Sequence, residues 1–137
     1  MAVAETQTDV LVVDDNVLVC RSLARLLSLS GFPTRCVETG QEALEFLKAC
    51  RPSIVLLDVM MPDVSGFDVL QAIRADARCL NVVVLMYSAV SDPAYKERAR
   101  ALGANDYLVK GELSFAQMKQ LVAGHLGRLK GGAKPGD

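Results

Sequence analysis

Five side chains could carry chemistry in this sequence: the carboxylates of Asp14, Asp15 and Asp58, the hydroxyl of Ser88 and the ammonium of Lys110. Each sits at or just beyond the end of a short apolar run. Carboxylates a few ångströms apart repel, so such a group needs a shared proton or a cation between its members. Oxygen-only ligands in a compact site favour a hard divalent ion, Mg²⁺ first and Mn²⁺ as the alternative, which takes one or two carboxylates and keeps several waters. A metal beside a lysine suits a phosphoryl group, whose negative oxygens need neutralising and orienting. A carboxylate in that pocket can itself be the nucleophile that receives the phosphoryl.

The elements that must position these groups are legible as alternating patterns. Apolar runs at Val10–Val13, Ile54–Val59 and Val82–Met86, with weaker ones at Thr34–Glu38 and Tyr107–Val109, lack polar alternation. They suit strands covered on both faces, as in a parallel sheet. Between them lie helical segments with start signals: Asn16 before a helix ending at Gly31, Thr39 with Glu42, Ser65 with Asp68, Ser91 ahead of Pro93, and a last helix from Ser114. On the last helix Phe115, Met118, Val122, Leu126 and Leu129 form one stripe, weakened by Gly124 and Gly127. Five strand-then-helix units predict a doubly wound α/β sheet of one domain, with the polar Thr34–Glu38 run at an edge. Ligands in such sheets sit at the carboxyl ends of the strands, where four of the five runs deliver a charged or reactive group. Any one of them alone reads equally well as a solvated turn residue; together they do not.

Composition narrows the partners. The chain has 137 residues, 15 basic and 16 acidic, for a net charge of −1, so no basic excess marks a nucleic-acid or membrane-surface binder. Cys20, Cys36, Cys50 and Cys79 show no CxxC pair, and His125 is the only histidine, so neither a zinc site nor a Cys/His nucleophile pair is expected. The cysteines are expected to be reduced thiols, Cys79 in a loop, with His125 on a helix surface. Residues 1–8 read as an extension without signal-peptide character, 9–130 as the domain, and 131–137 as a flexible tail or linker start. No run has membrane-spanning length, and a soluble, cytoplasmic protein is expected.

The blocks "LVVDDN", "IVLLDVMMPDVSGFDVL", "VVVLMYSA" and "ALGANDYLVK" resemble those of bacterial response-regulator receiver domains, in order, over roughly residues 9–129. The resemblance implies a flavodoxin-like sheet of five parallel strands in the order 2-1-3-4-5. It implies Asp58 as phosphoacceptor from a phosphohistidine donor, Mg²⁺ on Asp15, Asp58 and the backbone carbonyl of Met60, and Asp14 acting mainly through a water. It also implies Lys110 paired with Asp58, Ser88 donating to the phosphoryl group beside the backbone N–H of Ala89, and Tyr107 turning inward with Ser88 as a switch. The implied partners are a sensor histidine kinase or histidine phosphotransfer protein and a downstream protein target or output domain, with no direct nucleic-acid binding, no membrane, and a homodimer through the fourth helix, fifth strand and fifth helix.

The sequence departs from the family pattern at Gly111, where proline is usual, which is expected to loosen the loop that carries Lys110. Apolar Met60 and Val90 offer no group to align an attacking water, so fast dephosphorylation is not expected, and the chain is not an enzyme in the turnover sense. Asp63 is read as turn chemistry beside Pro62. Two rivals are a degenerate receiver that binds partners without phosphorylation, and a haloacid-dehalogenase-type phosphatase, which wants a second aspartate where Met60 stands. A nucleotide or flavin binder would want glycines where "DDNVLV" has acids.

Overall fold

The computed structural model describes residues 8–130; the expected extension, apart from Thr8, and the expected tail lie outside the described residues. The elements run β1 (Val10–Val13), α1 (Val17–Leu29), β2 (Thr34–Val37), α2 (Gly40–Ala49), β3 (Ile54–Leu57), α3 (Gly66–Ala75), a 3₁₀ turn (Ala77–Cys79), β4 (Val83–Ser88), α4 (Pro93–Ala101), β5 (Asp106–Val109) and α5 (Phe115–Lys130). All strands pair in parallel in the order β2-β1-β3-β4-β5, so the expected doubly wound sheet is found and β2 is at its edge.

Alternate strand residues face opposite layers. Val10, Val12, Ile54, Leu56, Val83 and Leu85 pack on Cys20, Leu23 and Leu27 of α1 and on Met118, Val122 and Leu126 of α5. Leu11, Val13, Val55, Leu57, Val84 and Met86 pack on α2, α3 and Ala99 of α4. Every side chain of β1 and β3 is buried, which explains their continuous apolar runs. Each such side chain contributes about 2 kcal/mol, so a single strand can carry the cost of about a few kcal/mol of holding one paired carboxylate out of water at its end.

Several local expectations change. β3 stops at Leu57, and Asp58 is the first residue beyond it, its N–H donated to the Val13 carbonyl at 2.9 Å. β4 runs on to include Ser88. Asp92, not Ser91, caps α4, accepting from the Ala94 N–H at 2.9 Å, because its carboxylate lies one residue before the proline-led first turn. Thr39 caps α2 through the Glu42 N–H, but Glu42 reaches back to the Glu38 N–H and misses Thr39 by one residue. Ser114 and Gln117 make the full reciprocal box at the start of α5. Leu129 ends the α5 stripe exposed.

The cysteines also differ from expectation. Cys20 and Cys36 are disulfide-paired between α1 and β2, with Cα atoms 5.8 Å apart. An inward-facing position on α1 and one on the adjoining edge strand meet at a bridging separation that the sequence spacing does not announce. Cys79 is buried in the 3₁₀ turn, and its burial pushes the thiol pKa up, so it is not a loop thiol.

Candidate functional site

The carboxyl ends of β1 and β3, adjacent in the sheet, bring Asp14, Asp15 and Asp58 together. One oxygen from each lies within 4.8 Å of the others. Asp14 and Asp58 are buried, 2% and 6% exposed, while Asp15 faces outward. An all-oxygen set of two sunken acids and one open acid fits a hard divalent cation with waters on its open side. The turn is fixed locally: Asp14 Oδ1 accepts the Asn16 N–H at 2.9 Å, and Asn16 in turn caps α1 through the Val19 N–H.

Lys110, at the end of β5, enters from the far side. Its Nζ lies 2.6 Å from Asp14 Oδ2 and 3.5 Å from Asp58 Oδ2. The nearer partner is therefore Asp14 rather than the expected Asp58. Burial pulls the Lys110 pKa down, but its hydrogen bond to Asp14 and the charges of Asp58 and Asp14 outweigh it, and the net direction is up. For Asp58, burial is the largest influence and raises its pKa; Lys110 opposes that, Asp14 adds to it, and the N–H groups of Met60 and Val59 hydrogen-bond the carboxylate and oppose it. Asp58 is thus a carboxylate kept less comfortable as an anion than one in water, with donors placed to hold it ionised.

Ser88 is fully buried at the end of β4. Its Oγ accepts the Val90 N–H at 3.2 Å, and its carbonyl accepts the Lys110 N–H at 2.8 Å, so hydroxyl and lysine are tied through one residue. Ala89 follows on an exposed turn, and Met60 is 55% exposed beside Asp58. Tyr107 of β5 is half-buried; its hydroxyl donates to the Val90 carbonyl at 2.7 Å and also meets Ser88. Gly111 takes φ +92°, a conformation closed to proline, so the chain turns differently there while Lys110 remains held by its own N–H and its two acids.

Asp63 is more than turn chemistry: its carboxylate crosses to α2 and accepts the N–H groups of Gly40 at 3.2 Å and Gln41 at 2.9 Å. No local pattern could show this, since the partner helix begins more than twenty residues earlier and already has Thr39 as its cap. His125 is half-buried on α5 against Arg128 and takes no part in the site.

An open parallel sheet whose β1 and β3 ends carry acids in place of a glycine-rich loop defines a doubly wound domain with an acidic cluster able to hold a metal ion at its carboxyl edge. Residues 10–123 match the response regulator receiver domain, and the chain belongs to that family, a family of signalling modules in two-component systems. It is 38% identical over 106 residues to the probable transcriptional regulator ycf27 of Guillardia theta, covering 77% of this chain and 41% of that protein. To the DNA-binding response regulator MtrA of Mycobacterium tuberculosis it is 35% identical over 121 residues, covering 88% of this chain and 50% of that one. The chain thus spans about half the length of these relatives. Among solved structures it is similar to the receiver domain of a LuxO repressor protein from Vibrio parahaemolyticus, with TM-score 0.80, 28% identity and coverage of 90% and 93%. The chemotaxis regulator CheY4 of Vibrio cholerae gives TM-score 0.79 at 26% identity, covering 88% of this chain and 99% of that one. Among the described residues no helix is long and apolar enough to cross a membrane.

Proposed function

We propose that this receiver accepts a phosphoryl group on Asp58 from a phosphohistidine donor and signals by a change of surface. One observation carries the reading: a sunken carboxylate just beyond a fully buried strand, with two further acids and a lysine beside it and a buried hydroxyl at the end of the neighbouring strand. An Asp58 carboxylate oxygen would attack phosphorus, the P–N bond to the donor imidazole would break, and the electron pair would leave with the imidazole. Mg²⁺ or Mn²⁺, held by Asp14, Asp15, Asp58 and the Met60 carbonyl, would neutralise the transferred oxygens and orient them for in-line transfer. Lys110, loosely placed against Asp58 and tightly against Asp14, is positioned to follow a phosphoryl oxygen, to which the Ser88 hydroxyl and the Ala89 N–H would also donate.

Tyr107 and Ser88 form the proposed switch, because the Tyr107 hydroxyl already joins β5 to the turn between β4 and α4. A Ser88 hydroxyl drawn to the phosphoryl group would change what Tyr107 meets, and the face made by α4, β5 and α5 would carry the difference to a downstream protein, an output domain or a second copy. The kinase or phosphotransfer partner presents the phosphohistidine at the open side marked by Asp15 and Met60. No polar side chain at Met60 or Val90 aligns a water, so the acyl phosphate persists rather than clearing within seconds.

The test is incubation with acetyl phosphate and Mg²⁺ followed by intact mass. One added, base-labile phosphoryl group on the wild type and none on Asp58→Asn supports the reading. Equal masses for both proteins would instead favour a receiver that binds partners without phosphorylation.

A further inference from the structure

We propose that Asp63 is a positioning residue of this site: by tying the turn after β3 to the start of α2, it holds the Val59 and Met60 backbone against the Asp58 carboxylate. The inference rests on the reading of Asp58 as phosphoacceptor. The turn over residues 58–65 has no regular structure of its own, yet the backbone N–H groups of Val59 and Met60, directly after Asp58, act on its carboxylate and favour its charged form. Its far end is pinned by the Gly66 N–H on the Val59 carbonyl at 2.9 Å and by Ser65 capping α3. The middle contains Pro62, which has no N–H to give. Asp63 supplies the missing hold from outside, spreading its two oxygens over the Gly40 and Gln41 N–H groups.

Those two donors are unsatisfied within the helix and lie at its positive end, so an anion is well placed there. Backbone donation, first from Gln41, draws the Asp63 pKa below the usual carboxylate range. The approach is built from both sides: a Cβ on Gly40 would meet Val64 Cβ at 2.8 Å and the Val64 carbonyl at 2.9 Å, so only glycine lets α2 come this close to the turn. The helix itself has another cap, since Thr39 Oγ1 accepts the Glu42 N–H at 3.0 Å. Thr39 thus caps α2 from within its own segment, whereas Asp63 is the contact that joins the helix end to the turn after β3.

Thr39→Ala is therefore the control, because it weakens the same helix end without releasing the turn. Mn²⁺ affinity by electron paramagnetic resonance, melting temperature, and the rate of phosphoryl uptake from acetyl phosphate at saturating Mg²⁺ are measured for wild type, Asp63→Ala, Asp63→Asn and Thr39→Ala. All three variants are expected to melt earlier. Only Asp63→Ala is expected to lose about tenfold in Mn²⁺ affinity and in maximal uptake rate, with Asp63→Asn, which keeps one acceptor oxygen, falling in between. Wild-type Mn²⁺ affinity in Asp63→Ala, or an equal loss in Thr39→Ala, overturns the proposal. If the wild type binds Mn²⁺ but takes up no phosphoryl group, the phosphoacceptor reading falls, while the Mn²⁺ comparison still decides the role of Asp63.

Discussion

The ends of β1 and β3 and the helix α4 are built on opposite terms. Both strands bury every side chain, and two of the three acids beyond them are almost fully enclosed. α4 has nine residues and buries only Ala99. Its hold on the body is peripheral: Arg98 stacks 4.4 Å over the Phe67 ring, Tyr95 lies 5.8 Å from the same ring, and Arg74 of α3 donates to the Gly103 carbonyl just after the helix at 2.9 Å. Segments with few buried apolar contacts open most readily. The difference teaches a division of labour: groups that must keep their geometry within a fraction of an ångström hang from the core, and the element proposed to report their state is held by contacts that can be exchanged.

The largest expected effect is on stability. Leu57→Ala, one residue before Asp58, should cost about 3 kcal/mol in urea unfolding, and Arg98→Ala about 0.5–1 kcal/mol. Equal costs for the two would break the comparison. Next, Tyr107→Phe removes the hydroxyl that reaches the Val90 carbonyl and should cost about 1 kcal/mol. Its phosphoryl uptake should stay within about twofold of wild type, since the side chain is placed with the reporting face and not with the acids. Faster hydrogen exchange confined to the turn before α4 and to α4 would sharpen the division, whereas faster exchange in β1 or β3 would contradict it.

The smallest effect is a pH dependence. Because the folded chain raises the Asp58 pKa, the unfolded chain ionises first as pH rises. The contribution of Asp58 to stability is complete below the ordinary value of 3.8 and declines as pH rises through the raised one. Asp58→Asn should therefore melt higher than wild type at pH 7, with the gap closing by pH 3. The Lys110 pKa is raised as well, so its contribution is intact below its ordinary value of 10.5 and is lost only as pH climbs through the raised one. A wild type that melts above Asp58→Asn at pH 7 would mean that Lys110 outweighs burial and Asp14 together.

What the sequence made legible follows from the same division. Runs such as Ile54–Leu57 announce a strand buried on both faces, and groups just beyond such runs fall on one rim because the strands are parallel. Asp14, Asp15, Asp58, Ser88 and Lys110 could be placed on that basis alone. What stayed hidden depends on contacts between segments that carry no period. The Asp63 tether joins two turns, Cys20 meets Cys36 only once α1 lies on β2, and Cys79 is buried by a 3₁₀ turn too short to show a pattern. Asp92 displaced Ser91 as a cap because two residues with capping side chains stood side by side, and only the backbone path chooses between them.

Gly66 begins α3 with its Cα pressed against the peptide that carries Asp58. A Cβ there would collide with the Asp58 carbonyl and come within 2.8 Å of Val59 Cα. An alanine at this position would thus act as a wedge under Asp58 without altering a single charge. In a survey of substitutions scored by signalling, residue 66 would rank among the reactive acids although it bears no functional group. Intolerance at that position measures how little room the chain leaves behind the Asp58 backbone.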